Sequence, residues 1–362
     1  MRASFRSTGN CRNMSSALWQ SHFLTAARGQ RPARVPVWLM RQAGRYMSEY
    51  REVRANRTFL ELCQDAALAA EVTVYAQQRI DADAAIIFAD ILLILKGLGM
   101  DLDYVKGDGP QLANPLRDAA GVAALGDPEQ AAADCSYVAD AVAITRRDLP
   151  ADVPLIGFCG APFTLASYAI EGGGSRQFAR TRAFMYGNPT LWHQLCQRLV
   201  AASIPYARAQ VEAGCQAFQI FDSWAGVLPV HDYEEFVLPH MKALAAGIPE
   251  GIPLIIFGTN TSHLLSSFAS AGADIVGIDS TTDLSSAWQL LGDAKNISVQ
   301  GNLDPGLLLA PRERLLSEAD RVLAQCGDGS GFIFNLGHGV FKETNVQQAI
   351  DLIAHIHQHK LG

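Results

Sequence analysis

Gly331-Phe332-Ile333-Phe334-Asn335-Leu336-Gly337-His338-Gly339 is the stretch on which the fold turns. A short apolar run ends in a polar turn flanked by glycines, and a helical pattern over 346–359 follows. The run is unbroken rather than alternating, as a parallel strand buried on both faces requires. Working back along the chain, runs of the same kind lie at 35–40, 84–89, 154–159, 217–221, 253–257, 275–278 and 297–300, which with 331–335 makes eight. Helical patterns at 59–79, 191–213, 233–246 and 312–326 fall between them. Eight β units with helical crossovers predict an α/β fold, a single-domain (β/α)8 TIM barrel. The segment 101–132, with Gly107, Gly109 and Pro110, reads as an irregular insertion or hairpin. The segment 172–182 reads as an exposed loop with a glycine-rich start. No Pro-, Gly- or Ser-rich linker divides the chain. The expected organisation is a disordered N-terminal extension over 1–16 and a barrel over 17–362.

Composition narrows the function classes. The 362 residues are 49% hydrophobic, ample for a large core. No apolar run approaches the roughly 18 residues of a membrane helix, so no membrane role is expected. A net charge of −7, from 36 acidic and 29 basic residues, argues against nucleic acid as a partner. It leaves room for an anionic small molecule, because a local arginine cluster can oppose the global sign. The seven cysteines form no C-x-x-C pair, which fits a reducing, cytoplasmic location. Residues 1–48 hold eight arginines and no acid. That is the composition of an organellar transit segment, and an initiator at Met14 explains it equally well. No apolar stretch follows Arg2 or Arg6, so secretion is not expected.

Barrel active sites lie at the C-terminal ends of the strands. The residues at those ends are Arg41 with Arg45 one turn on, Phe88 and Asp90, Cys159 with Tyr168 downstream, Asp222 and Ser223, Asn260, Asp279, Asn302 and Asp304, and His338. Together they describe a cavity with at least two arginines, several carboxylates and one histidine. Each also has a plainer explanation. Asp222, Asp279 and Asp304 can be helix N-caps, and Arg41 and Arg45, four apart, can be the solvated face of a helix. Asn302 and His338 can be structural. Gly337 and Gly339 allow positive φ or close approach to a ligand. The sequence has no G-x-x-x-x-G-K-[ST], no strand-following G-x-G-x-x-G, no H-E-x-x-H and no G-x-S-x-G. Gly172-Gly173-Gly174-Ser175 lacks the lysine of a phosphate loop. His355, His357 and His359 do not share one helical face. No metal site is expected.

Five blocks carry a resemblance. Pro36-Val37-Trp38-Leu39-Met40-Arg41-Gln42-Ala43-Gly44-Arg45-Tyr46 is similar to the N-terminal signature of the uroporphyrinogen decarboxylase family. So are the G-x-x-G-A-P-F-T-L core and Glu-Gly-Gly-Gly-Ser end of 157–175, FDSWAG at 221–226, GNLDP at 301–305 and FNLGHG at 334–339. They occur in the family's order, and the resemblance runs from about residue 18 to the C-terminus. The chain departs from the pattern at Ser48, Ala89 and Ser280 and across 341–345. These positions lie beside the matched site residues rather than on them.

The resemblance implies a cofactor-independent carboxy-lyase of porphyrin, haem and chlorophyll biosynthesis. Such an enzyme removes CO2 from the four acetate arms of uroporphyrinogen III, giving coproporphyrinogen III, and is a homodimer. It implies catalytic roles for Asp90 and Arg41, and substrate contacts from Arg41, Arg45, Phe88, Asp90, Tyr168, Ser223 and His338. No cofactor is expected, because a protonated pyrrole carbon makes an iminium-like cation that accepts the electrons as CO2 leaves. Asp90 would accept hydrogen bonds from the pyrrole N–H groups and stabilise that cation. The proton donor stays open among Arg41, His338 and a bound water, since a guanidinium has a pKa above about 12 and makes a poor acid. Two rivals remain: a zinc-dependent methyltransferase of the same barrel superfamily, whose usual H-x-C pair the sequence lacks, and a non-catalytic tetrapyrrole-binding relative.

Overall fold

A computed structural model describes residues 16–105, 109–292 and 297–362. The expected 1–16 extension lies outside the described residues apart from Ser16, which opens a short helix, Ser16–Trp19. Among the described residues nine strands follow in chain order: β1 (Ala85–Ile86), β2 (Leu102–Val105), β3 (Gly109–Leu112), β4 (Leu155–Gly160), β5 (Ala217–Asp222), β6 (Leu254–Gly258), β7 (Ile275–Gly277), β8 (Ser298–Leu303) and β9 (Phe332–Leu336). Seven form one curled parallel sheet in the order β1-β4-β5-β6-β7-β8-β9. Each coincides with one of the apolar runs, and β4, β6, β8 and β9 are buried at every residue. β2 and β3 pair antiparallel as the hairpin expected within 101–132.

The eighth run, 35–40, is not a strand. Only Val37 bridges in parallel, to Phe334. Pro36 has no N–H to offer a ladder, though its carbonyl accepts from Phe334 N at 2.8 Å. The Val37 N–H is taken at 2.8 Å by the Asp83 side chain instead of by a neighbouring strand. Asp83 N donates to Val37 O at 2.8 Å, so the segment lies between β9 and the approach to β1.

Three other expectations shift for local reasons. The 59–79 helix divides into Phe59–Gln64 and Ala66–Ile80, because the Asp65 carboxylate caps the second by accepting from Leu68 N at 3.0 Å. Thr58 and Glu61 close a capping box on the first. The 233–246 helix divides at Val237 into Val230–Phe236 and Leu238–Gly247, where Pro239 fits the start of a helix. The loop expected over 172–182 ends sooner, at the helix Ala179–Gly187.

The longest helix, Pro189–Ala213, covers the outside of the sheet and buries Trp192, whose indole N–H donates to Phe236 O at 2.8 Å. A side chain of this size contributes about 3 kcal/mol by burial alone. Inside the sheet's curl a buried polar chain replaces some of the apolar filling. Trp38 Nε1 donates to Gln300 Oε1 at 2.9 Å, Gln300 Nε2 to Gln219 Oε1 at 3.2 Å, and Gln219 Nε2 approaches Met40 Sδ at 4.0 Å. These links join β8, β5 and the 35–40 segment. That fixes where the chain emerges at Arg41.

Candidate active site

Asp90 stands four residues beyond β1 and is partly exposed at the C-terminal end of the sheet. Leu92 N donates to its Oδ1 at 2.8 Å and fixes the carboxyl's orientation. The surrounding protein strips water from the group and raises its pKa, while the Leu92 N–H, the Tyr104 hydroxyl and the charge of Arg41 pull the other way. Tyr104 comes from β2. Its phenol is pushed far above the ordinary value, first by burial and then by Asp90. The hairpin therefore brings the Tyr104 phenol to the Asp90 end of the sheet.

Arg41 is the residue where 35–40 turns into the rim. Its backbone is left-handed, φ 60°, and its side chain is exposed. Residues 40–47 are a series of turns, so Arg41 and Arg45 are not a helical face. Met40 N donates to Asn335 Oδ1 at 3.0 Å, and Val340 N donates to Met40 O at 2.9 Å, locking this turn to the end of β9. Gly339 lets the Arg41 side chain lie on the backbone, for a Cβ there would stand 2.4 Å from Arg41 Cδ. At Gly337 a Cβ would stand 2.0 Å from Ser280 N. Neither glycine has positive φ, so both serve close packing within the protein. Between them His338 is exposed on the rim. Crowding by the cleft wall lowers its pKa, and Arg41 lowers it further. Among the described residues neither Arg41 nor Arg45 has an ion pair.

Tyr168 sits on the helix Pro162–Glu171 and packs against Trp224, ring centroids 5.9 Å apart. Its phenol is pushed up to about 12 by burial and by Asp90, with Trp224 and Arg41 acting in opposition. Asp90, Arg41 and Tyr168 thus share one electrostatic space. Ser223, next to Trp224, lines a cleft of about 450 Å³. Phe88 is only 9% exposed and packs on Tyr50 and Phe59, at 5.6 and 5.7 Å. It packs into the wall beside Asp90.

The remaining candidates are structural. Asp222 is fully buried, accepting from Thr164 Oγ1 at 2.9 Å and Tyr233 Oη at 3.3 Å. Burial pushes its carboxyl up to about 7 against those two bonds. It caps no helix. Asp279 takes the Asn260 N–H, the Thr281 N–H and both threonine hydroxyls at 281 and 282. Asp304 is an N-cap, accepting from Gly306 N at 2.8 Å. Asn302 donates to the carbonyls of Asp279 and Thr282 and satisfies a buried turn. Trp224, at the end of the fourth apolar run and within FDSWAG, is legible in the sequence without a role, whereas nothing local ties Tyr104 to Asp90.

Among the described residues no group of three or more His, Cys, Asp or Glu could hold a metal ion, and the six described cysteines are free and buried. No helix there is long and apolar enough to cross a membrane.

Residues 19–359 match the family model described as uroporphyrinogen decarboxylase. A protein of that name from Carboxydothermus hydrogenoformans is 45% identical over 339 residues, covering 93% of this chain and 95% of the relative. Another from Thermus thermophilus is 48% identical over 339 residues, covering 92% and 97%. Among solved structures a methyltransferase from Methanosarcina mazei superposes with a TM-score of 0.79 at 18% identity, covering 94% of this chain and 98% of that one. At that identity the likeness shows the fold alone.

Proposed function

The chain belongs to the uroporphyrinogen decarboxylase family, and from that premise we propose how its cleft performs the reaction. The protein is a carboxy-lyase that decarboxylates uroporphyrinogen. The observation that carries the mechanism is the pairing across one cleft of a desolvated, partly exposed carboxylate, Asp90, with the unpaired Arg41.

The pyrrole supplies the electron sink. A proton adds to a ring carbon and gives an iminium-like cation. The electron pair of the bond to the acetate carboxylate then moves toward the ring as CO2 departs, leaving an exocyclic methylene. A second proton on the methylene and loss of the first from the ring leave a methyl group. The net change on each arm is one proton taken up and one CO2 released. Asp90, held by Leu92 N, accepts the pyrrole N–H bonds and stabilises the transient cation before it forms. Arg41 and Arg45 take substrate carboxylates, bidentately where the fork meets them. Tyr168, Ser223 and His338 contact further arms, and Phe88 stiffens the wall behind Asp90. The lowered pKa of His338 disfavours its charged form. The proton donor stays open among Arg41, His338 and a bound water.

The 35–40 segment, hydrogen-bonded toward both edges of the seven-stranded sheet, serves as the eighth stave of a closed barrel. By resemblance the working form is a cytoplasmic homodimer that binds no nucleic acid. The test is direct. Anaerobic incubation of the purified protein with uroporphyrinogen III, followed by oxidation and chromatography, should show hepta-, hexa- and pentacarboxylates and then coproporphyrin. Product that keeps all eight carboxylates would overturn the reading.

A further inference from the structure

On the far side of the cleft from Arg41, the loops after β5 and β6 frame the 450 Å³ cavity that Ser223 lines. Its position follows from strand order: β5 and β6 are the middle of the sheet, whereas Val37, leading to Arg41, bridges the edge strand β9. No carboxylate lines this cavity. Its polar side chains are Ser175, Arg176, Ser223, Thr259 and Asn260. Arg176 is exposed and makes no ion pair or hydrogen bond with any described residue. The Asn260 amide and the Ser223 hydroxyl are likewise without a partner there.

The backbone beneath these donors is rigid. Thr259 Oγ1 donates to Ser223 O at 2.6 Å. A Cβ on Gly226 would stand 2.4 Å from Thr259 O and 2.5 Å from Asn260 O, so the two loops are in direct backbone contact. Asn260 holds a left-handed φ of 56°, with its N–H anchored on Asp279. Ser175 Oγ accepts from Phe178 N at 3.0 Å, which leaves its hydroxyl proton to donate. Trp224, packed on Phe178 at 5.1 Å, gives an aromatic wall beside the donors.

We propose that Arg176, Asn260 and Ser175 form a second carboxylate subsite. It takes the arm of the substrate that points away from Arg41 and Arg45, while Trp224 supports the pyrrole that bears the arm. The claim rests on the functional reading above and deepens it. A substrate carrying carboxylates on all four pyrroles presents negative charge around its whole edge. A rim cationic on one flank only would leave the opposite arms unmet. Unpaired donors with no competing acid meet that need, and the anchoring of Asn260 and Ser175 lowers the entropic cost.

The test uses the full chain with two readouts: steady-state kinetics on uroporphyrinogen III, and fluorescence titration with uroporphyrin, its stable oxidised octacarboxylate. Arg176→Gln should raise KM and the uroporphyrin Kd about ten-fold and leave kcat within about two-fold, as loss of uniform binding does. Arg176→Lys should recover part of the affinity. Asn260→Gly, which keeps the left-handed backbone while removing the amide, should raise KM by a smaller factor. Arg147→Gln, which removes a surface charge paired with Asp148, controls for net charge and should change neither readout. Unchanged KM and Kd in Arg176→Gln overturn the subsite even if the wild type decarboxylates normally. A wild type that binds uroporphyrin through Arg176 without turning over uroporphyrinogen keeps the subsite and overturns the decarboxylase reading.

Discussion

Asp90 and Asp222 are the same residue type at the C-terminal end of the same sheet, and desolvation raises both carboxyls. They differ in what surrounds them. Asp222 spends both oxygens on Thr164 and Tyr233 and sees no solvent. Asp90 is anchored through Oδ1 by Leu92 N and remains partly open to the cleft. Burial of a carboxylate therefore does not identify a catalytic one. Bonding capacity left over, facing an unpaired cation, is the better sign. On the proposed mechanism, the comparison separates a carboxyl that holds the fold together from one left free to act.

Substituting each aspartate sharpens that separation most. Asp90→Asn should lower kcat by about 3–4 kcal/mol of transition-state stabilisation, some hundred- to thousand-fold, by analogy with loss of one preorganised catalytic group. Its melting temperature should hold or rise, because the variant no longer buries a charge. Near-normal kcat in Asp90→Asn would remove Asp90 from the mechanism and break the comparison.

The two glycines beside His338 make a second contrast. At Gly337 the added methyl meets backbone, 2.0 Å from Ser280 N, whereas at Gly339 it meets the movable end of Arg41. Gly337→Ala should cost about 3 kcal/mol in denaturant unfolding, as overpacking against backbone does. Gly339→Ala should unfold like the wild type and raise KM several-fold by displacing Arg41. Equal stability losses at both sites would mean that Arg41 is held rigidly, contrary to its unpaired state.

These contrasts also show what was legible in the sequence. Seven strands were readable because each is buried on both faces, so the apolar run itself is the signal. The eighth run carried the same signal. The Asp83 side chain, 46 residues away in sequence, takes the Val37 N–H and prevents a ladder, and no local pattern announces that. The glycine pair was readable as important, but the close neighbours Ser280 and Arg41 are far away in sequence and no local pattern names them. Tyr104 was invisible because only the folded hairpin brings it to Asp90. Asp304 was a cap, as its position after a strand allows, while Asp222 in the same setting was not.

Asp222 itself predicts a pH dependence. Its folded-state pKa of about 7 lies above the ordinary 3.8, so between those values the folded protein holds a proton that the unfolded chain has lost. Stability from this group is then present at low pH and falls as pH rises through that window, by up to about 1.4 kcal/mol per pH unit. Asp222→Asn should cost about 1–2 kcal/mol near pH 5, where the lost carboxyl bonds count in full. Its deficit relative to wild type should narrow toward pH 7, measured by urea titration at each pH. A deficit that widens with rising pH would show that Asp222 is charged in the fold, as a catalytic carboxylate would be.

The smallest expected effect tests the division of labour at the rim. The lowered pKa of His338 comes first from crowding by the cleft wall and second from Arg41. The neutral form is therefore favoured, and on the proposed mechanism the ring meets substrate through one N–H rather than a charge. Glutamine can supply an N–H from a similar position, so His338→Gln should lower kcat/KM by less than about 1 kcal/mol, under six-fold. A general acid loses activity as it deprotonates, so its signature is a rate that falls as pH rises. On the reading that the proton comes from elsewhere on the Arg41 rim, His338→Gln should keep whatever alkaline limb the wild type shows. Disappearance of that limb would make His338 the donor. The reactive flank would then depend on a titrating ring as well as on Arg41 and Asp90.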